Sequence, residues 1–211
     1  MSESPRPTSV QISRGDSNML LDHSRFRLRD FTAADRPAFL AYQMDPRYLS
    51  LYDFGASDVQ RANDLFDLFQ EWQKAMPRQN FQLGIFDKRT DELWGCAGLR
   101  KATDDTAVLG IELAPTQWGR FALALDVAEA LIDFGFHELH LATIFGDTSS
   151  GNKRVAKLAR WFGAGIIAER EGPQWMTQRG WREVDWAVDR MTWANAQWRN
   201  GRSRGRPRLG R

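Results

Sequence analysis

The sequence predicts a mixed α/β (α+β) fold in which helices flank a central, mostly antiparallel sheet. Three short apolar runs with β-type composition follow one another and are separated only by short polar loops, at 81–87, 92–100 and 106–113. Loops this short join antiparallel neighbours, because a parallel crossover needs a dozen or more residues. Helical patterns lie before and after this meander, so the order of elements is not a regular parallel alternation.

The N-terminal part of this order is a strand followed by two helices. Residues 25–29 alternate polar and apolar side chains, which is typical of a half-buried strand. Thr32 and Asp35 have the spacing of a capping box and predict a helix over 33–44, which Pro46 ends. A second helix is expected to begin at Ser57, because apolar side chains recur beyond it at helical spacing: Leu65, Phe66, Leu68, Phe69 and Trp72.

Helices and strands follow one another in the second half of the chain. Apolar periodicity predicts helices over about 121–136 and 152–162. Short apolar runs predict strands over 141–145, 165–170 and 184–191.

Length and composition bound the class of protein. The chain has 211 residues, of which 42% are hydrophobic and 27% charged, as in one globular domain. Its single cysteine, Cys96, can form neither an intrachain disulfide nor a cysteine-based zinc site, and no metal site is predicted. No apolar run approaches the ~20 residues that span a bilayer, and the first residues lack the apolar core of a secretory signal. We therefore expect a cytoplasmic protein with no membrane contact.

The charge of the chain is unevenly distributed. The formal net charge is +2, yet the last thirteen residues carry six arginines and no acid, so the rest of the chain is acidic on balance. We expect a flexible leader at 1–24, a domain at 25–195 and a basic, disordered tail at 196–211. Within the tail, Arg204, Gly205, Arg206 and Pro207 resemble the core of an AT-hook, which would make DNA a partner; a disordered solubilising end is the alternative.

The segment richest in chemical signals runs from 109 to 124. A predicted strand passes through a short loop into a helix whose first residues include Gly119, Ala122 and Ala124. Free amides at a helix start form an anion site, and small side chains let a phosphate approach the backbone closely. A plain connection between a strand and a helix is the alternative.

Three segments together resemble the GNAT superfamily of acyl-CoA-dependent N-acyltransferases, and most of all its RimJ/RimL-like branch. FRLRDFTAADRPAFLAY is similar to the strand and helix with which the family begins. GIELAPTQWGRFALALDVAEALIDFGF resembles the pyrophosphate loop and its helix, and DTSSGNKRVAKLARWFGAG resembles the closing strand–helix module. The resemblance covers about 25–192 and implies an N-acetyltransferase that uses acetyl-CoA.

The resemblance also implies which residues bind the acyl donor. They surround the loop and the closing module: Leu113, Trp118, Gly119, Arg120, Phe121, Ala122, Leu123, Ala124 and Asn152. Two departures stand out, because Ala122 replaces an expected glycine and Val155 replaces a common serine. An alanine preserves close phosphate approach if its position is helical and prevents it if the position needs a positive φ. Asn152 also has the residue type of a helix N-cap.

Catalysis by direct attack of an amine on a thioester needs a base, a polarised carbonyl and a proton for the thiolate. Glu112 is the candidate base, and an outward-facing strand carboxylate is the alternative; amides next to Leu113 would polarise the carbonyl. Tyr48 and Tyr52 are expected to line the acceptor pocket. Trp175 is expected to contact the acceptor, and a place in the core or in a dimer face is the alternative. Many relatives use a late tyrosine as acid, which this chain lacks.

These inferences predict transfer of an acetyl group from acetyl-CoA to a primary amine of a protein N-terminus, a polyamine or a small molecule. The alternative is a catalytically degenerate GNAT-like binding protein, contacting nucleic acid through its arginine-rich tail. The resemblance also allows a homodimer, because relatives often pair through sheet edges.

Overall fold

The computed structural model describes residues 19–50 and 59–195. Eight strands form one sheet in the order β1-β2-β3-β4-β5-β6-β8-β7. The strands are β1 Leu20–Asp22, β2 Phe26–Arg29, β3 Asn80–Asp87, β4 Leu93–Lys101, β5 Thr106–Leu113, β6 Thr143–Ser149, β7 Gly165–Glu171 and β8 Arg182–Asp189. The helices are α1 Arg36–Gln43, α2 Pro46–Leu49, α3 Val59–Lys74, α4 Phe121–His137, α5 Lys153–Trp161, α6 Gln174–Thr177 and α7 Arg190–Asn195.

The predicted fold class is confirmed: the sheet is mixed, mostly antiparallel and flanked by helices. Strands β3, β4 and β5 form the expected antiparallel meander, in which Cys96 lies opposite both Gly84 and Glu112. Strands β5 and β6 form the one parallel pair in the described sheet, and they pair only from Thr106 to Val108. Both strands continue beyond this pairing without pairing further, which leaves one edge of β5 unpaired; we call this edge the gap.

Apolar clusters cover both faces of the sheet. On one face, α4 buries its apolar side against a large cluster, and Leu109, Ile111 and Leu113 of β5 pack there. On the other face, α1, α2 and α3 close over an aromatic cluster that includes Cys96 and Ala114. Because side chains alternate along a strand, Glu112 faces α1 and α2 and turns away from α4. No described helix has the length and apolar character needed to span a membrane.

Several short elements differ from the predictions. Strand β1 lies inside the expected leader of residues 1–24, because Met19 and Leu21 are buried in the core and β1 pairs with β2. The last strand ends at Asp189 and not at 191, since the Asp189 carboxylate accepts from the Thr192 amide at 2.8 Å and begins α7. Four-residue helices such as α2 and α6 are too short for periodicity to reveal. The predicted tail and its AT-hook lie outside the described residues.

A buried ion pair attaches β1 and its neighbours to the sheet. The Asp30 carboxylate accepts from the Met19 amide at 2.7 Å and from both terminal nitrogens of Arg78 at 2.9 and 2.6 Å. The side chains of Asp30 and Arg78 are only 3% and 12% exposed. Removal of one partner from such a pair leaves the other charge buried without compensation.

We therefore expect Asp30→Ala to lower the free energy of unfolding by about 3 kcal/mol. Denaturant titration followed by circular dichroism measures this change. Asp64→Ala is the matched control, because Asp64 is exposed on α3 and its loss should change stability by less than about 0.5 kcal/mol. Equal effects of the two substitutions would contradict a stabilising role for the buried pair.

Candidate active site

Glu112 is the centre of a hydrogen-bonded cluster between β5 and the first two helices. Its Oε1 accepts from the Tyr42 hydroxyl at 2.8 Å and from Nε2 of Gln43 at 2.6 Å. Its Oε2 accepts from the Tyr48 hydroxyl at 2.5 Å. Each carboxylate oxygen has two lone pairs, so Oε1 is saturated and Oε2 keeps one acceptor position that no described residue occupies.

The helix arrangement brings these donors together. Tyr42 and Gln43 are adjacent at the end of α1, where Gln43 is fully buried. The Asp45 carboxylate accepts from the Arg47 amide at 2.8 Å and caps α2, which directs Tyr48 to the same point. The Tyr48 hydroxyl thus contacts Glu112 directly. That Tyr48 also lines the acceptor pocket stays a prediction.

Burial sets the protonation states in the cluster. Removal of the carboxylate from water raises the pKa of Glu112, while hydrogen bonds from Tyr48 and Tyr42 and the charge of Arg61 oppose that rise. Burial also raises the pKa of Tyr42 well above its usual value, and raises the pKa of the Cys96 thiol. Near neutral pH, Tyr42 and Cys96 are therefore neutral, and Glu112 is the acid–base group of the cluster.

The gap beside β5 exposes a backbone donor next to Glu112. The Ala114 amide donates to the Trp94 carbonyl at 2.8 Å and is therefore occupied. Hydrogen bonds alternate along an antiparallel pair, so the N–H and C=O of Leu113 point away from β4 and toward the gap. The Leu113 carbonyl accepts from the Trp118 indole at 2.9 Å on that side. Of the amides around Leu113, its own N–H is the one directed at the gap.

The loop after β5 leads into α4 with open backbone groups. Gly119 has a φ of +88°, and a Cβ placed there would meet nothing within 4 Å. Ala122 lies in the first turn of α4, so its backbone is helical. The residue is exposed, so its methyl group faces solvent. Within the described part of the chain, no acceptor is recorded for the Gly119 and Ala122 amides. These amides, with the positive end of the α4 dipole, are suited to an anion.

Comparison with known proteins places this arrangement in a family. A family model described as an acetyltransferase (GNAT) domain matches residues 25–165, which is more than half of the chain. The chain belongs to the GNAT acetyltransferase family. No curated protein matches the sequence significantly.

Solved acetyltransferases share the fold. One from Agrobacterium tumefaciens is 23% identical, with 89% of this chain and 100% of that chain covered and a TM-score of 0.63. One from Bacillus anthracis is 18% identical, covering 81% and 98%, with a TM-score of 0.65. A spermidine N-acetyltransferase from Vibrio cholerae, in complex with CoA and spermine, is 15% identical, covering 82% and 100%, with a TM-score of 0.68.

Three further predicted site residues of this GNAT domain lie away from Glu112 or outside the described residues. The Asn152 side chain accepts from the Val155 amide at 3.2 Å and caps α5, which leaves its amide nitrogen for other partners. Trp175 lies in α6, where the Arg179 guanidinium stacks 5.7 Å from its ring centroid, and none of its described contacts joins it to Glu112. Tyr52 lies outside the described residues.

The rest of the predicted loop residues lie at the N-terminus of α4. The Arg120 guanidinium lies 5.6 Å from the Trp94 ring, and the Lys157 amine lies 4.6 Å from the Phe121 ring. Leu123 is buried and holds the first turn of α4 in the core, while Ala124 is partly exposed. Two cations, Arg120 and Lys157, thus lie on aromatic rings near the start of α4.

Sequence reasoning missed Tyr42, Gln43 and Arg61. The Arg61 guanidinium donates to Oε1 of Gln43 at 3.1 Å, so it belongs to the second layer around Glu112. The one available signal was the polar pair at 42–43, at the end of a helix that otherwise has an apolar face. Its meaning depends on the packing of α1 against β5, which lies 69 residues away along the chain from Gln43 to Glu112.

The raised pKa of Glu112 predicts how stability depends on pH. A carboxyl with a raised folded-state pKa adds stability below its ordinary pKa of about 4.3, and this contribution is lost as the pH rises through the raised value. The free energy of unfolding of the parent protein should therefore fall, relative to that of Glu112→Gln, as the pH rises from the ordinary pKa of about 4.3 through the raised folded-state pKa. Denaturant titrations at several pH values measure the difference. Glu138→Gln, at an exposed position, should show none, and a pH-independent difference for Glu112→Gln would contradict the prediction.

Proposed function

We propose that this GNAT domain transfers an acetyl group from acetyl-CoA to a primary amine by direct attack on the thioester. The observation that carries the proposal is the Glu112 carboxylate, which is buried, has a raised pKa and keeps on Oε2 one acceptor position that no described residue occupies. A base with these properties suits proton removal from an amine near neutral pH.

The loop before α4 fits the diphosphate of acetyl-CoA. The replacement of the expected glycine by Ala122 does not close the site, because the residue is helical and its methyl group is exposed. Gly119 has a positive φ, and a Cβ placed there would meet nothing within 4 Å. No described residue accepts from the Gly119 or Ala122 amide, so both can donate to a ligand. The remaining proposed contacts to acetyl-CoA are made by residues on both sides of this loop: Leu113, Trp118, Arg120, Phe121, Leu123, Ala124 and Asn152.

The proposed reaction divides its tasks among the chain's own groups. The Leu113 N–H polarises the thioester carbonyl from the edge of β5. The amine nitrogen attacks that carbon and forms the C–N bond, while Oε2 of Glu112 accepts the departing proton directly or through a water molecule. The C–S bond then breaks, and the thiolate of CoA leaves and takes a proton from solvent.

Three acceptor classes remain in the proposal: a protein N-terminus, a polyamine and an amine-bearing small molecule. The spermidine N-acetyltransferase of similar fold supports amines in general. The segments that resemble the RimJ/RimL-like branch support a protein N-terminus. Release of free thiol from acetyl-CoA, measured against a panel of these amines, distinguishes the classes.

The first test concerns the acyl donor. Ala122→Glu places a carboxylate over the free amides at the start of α4, so it should weaken acetyl-CoA binding by about tenfold or more. Isothermal titration calorimetry measures this loss. Ala102→Glu adds the same charge at an exposed turn between β4 and β5 and should bind acetyl-CoA as the parent protein does. Failure of the parent protein to bind at about 100 micromolar would refute the proposal.

The second test concerns the base. Glu112→Gln should lower kcat/KM by about 10²-fold, because the amide cannot accept the amine proton. In the parent protein, kcat/KM should rise with pH, since Glu112 must be ionised to act. This rising limb of the pH profile should lie at a higher pH than the ordinary pKa of glutamate. The variant should lack this limb, whereas Glu92→Gln, at an exposed turn, should keep it. Full activity of Glu112→Gln would exclude Glu112 as the base.

A further inference from the structure

Gln43 connects Glu112 to a cation on a third helix. Its Nε2 donates to Oε1 of Glu112 at 2.6 Å and to the Tyr48 hydroxyl at 3.2 Å. Its own Oε1 accepts from Nη2 of Arg61, on α3, at 3.1 Å. Gln43 has no solvent exposure, so these contacts take the place of water around its amide.

The direction of the Gln43 amide decides whether it supports or opposes the Glu112 carboxylate. An amide has a donating end and an accepting end, and a reversed amide would place its oxygen against Oε1 of Glu112. A guanidinium can only donate, so Arg61 is compatible with one amide direction, the one in which Nε2 points at Glu112. Arg61 therefore selects the orientation that stabilises a carboxylate.

Arg61 also supplies charge to a cluster that is otherwise neutral or acidic. Among the described residues, the other titratable groups that face Glu112 are Tyr42 from α1, Tyr48 from α2 and Cys96 from β4. Of these described groups, Arg61 is the one that carries a positive charge, and that charge lowers the pKa of Glu112 against the effect of burial.

We infer that Arg61 is a positioning residue for the reaction, acting through Gln43 to orient and charge-balance the Glu112 carboxylate as the acceptor of the amine proton. This inference rests on the proposed function of Glu112. It assigns α3 a role in catalysis although Arg61 touches no reacting atom. The same chain of contacts explains why a fully polar side chain, Gln43, lies buried between α1 and β5.

The experiment compares pH profiles of kcat/KM for acetyl transfer, with the best amine of the panel as acceptor. Arg61→Met should move the limb that reports Glu112 ionisation to higher pH. On the acidic side of the limb kcat/KM should fall about tenfold, and the profiles should converge at high pH. Arg61→Lys keeps the charge and should restore most of the parent profile. A merely structural role would lower activity equally at every pH.

Arg36→Met is the matched control. Arg36 also bridges α1 and α3, since it donates to Asn63 at 3.1 Å and pairs with Asp67, but it has no contact with Gln43. Its loss should leave the limb where it is. If Arg61→Met fails to fold, Arg61→Gln carries the same test, because it removes the charge and keeps a donor for Gln43.

The outcomes separate the two proposals. A limb that Glu112→Gln abolishes and that neutral Arg61 variants leave in place would overturn the inference and leave the proposed function standing. A limb that persists in Glu112→Gln would remove the base from the proposed function, and the inference with it. A limb moved to higher pH by Arg61→Met or Arg61→Gln, and not by Arg36→Met, supports the role of Arg61.

Discussion

The arrangement of this domain depends on a carboxylate withdrawn from water into the contact between a strand and two helices. Desolvation alone would strongly disfavour the charged form of Glu112. Two tyrosine hydroxyls and one amide, all from α1 and α2, replace the lost water at distances of 2.5 to 2.8 Å. The aromatic cluster on this face therefore serves two purposes: it holds the helices on the sheet, and it fixes the donors around the acid.

Strand β5, which carries Glu112, has a second role because it stops pairing with β6 after Val108. Up to Val108, β5 is an ordinary member of the sheet, and beyond it one edge loses its partner. The backbone of Leu113 then points into the gap, while the side chain of Glu112 points to the α1 face. The strand continues into the loop before α4, so the carboxylate of Glu112, the amide of Leu113 and the proposed diphosphate site at Gly119 and Ala122 follow one another along the chain. This continuity is what links acyl-donor binding to proton transfer in the proposed reaction.

Some parts of this arrangement can be predicted from the sequence, and others appear only in the folded structure. The meander of β3, β4 and β5 follows from three apolar runs and two short polar loops, and the structure confirms it. The resemblance of the segment after β5 to a pyrophosphate loop points to Gly119 and Ala122 from the sequence alone. Strand β1 was missed because three residues show no period, and its attachment comes from Asp30 and Arg78, which are 48 residues apart. The roles of Tyr42, Gln43 and Arg61 cannot be predicted locally, because the polar pair at 42–43 acquires its meaning only when α1 and α3 pack near β5.

The sequence by itself determined the order of the elements, the family and the identity of Glu112 as the candidate acid–base group. These depend on local periodicity and on contiguous motifs, which a linear chain displays directly. The tertiary structure alone decided which described side chains surround that carboxylate, which loop amides have no acceptor among the described residues, and that Ala122 is helical and exposed. Each of these depends on the approach of elements distant in the chain, and hydrogen-bond satisfaction and burial arise only once those elements pack together.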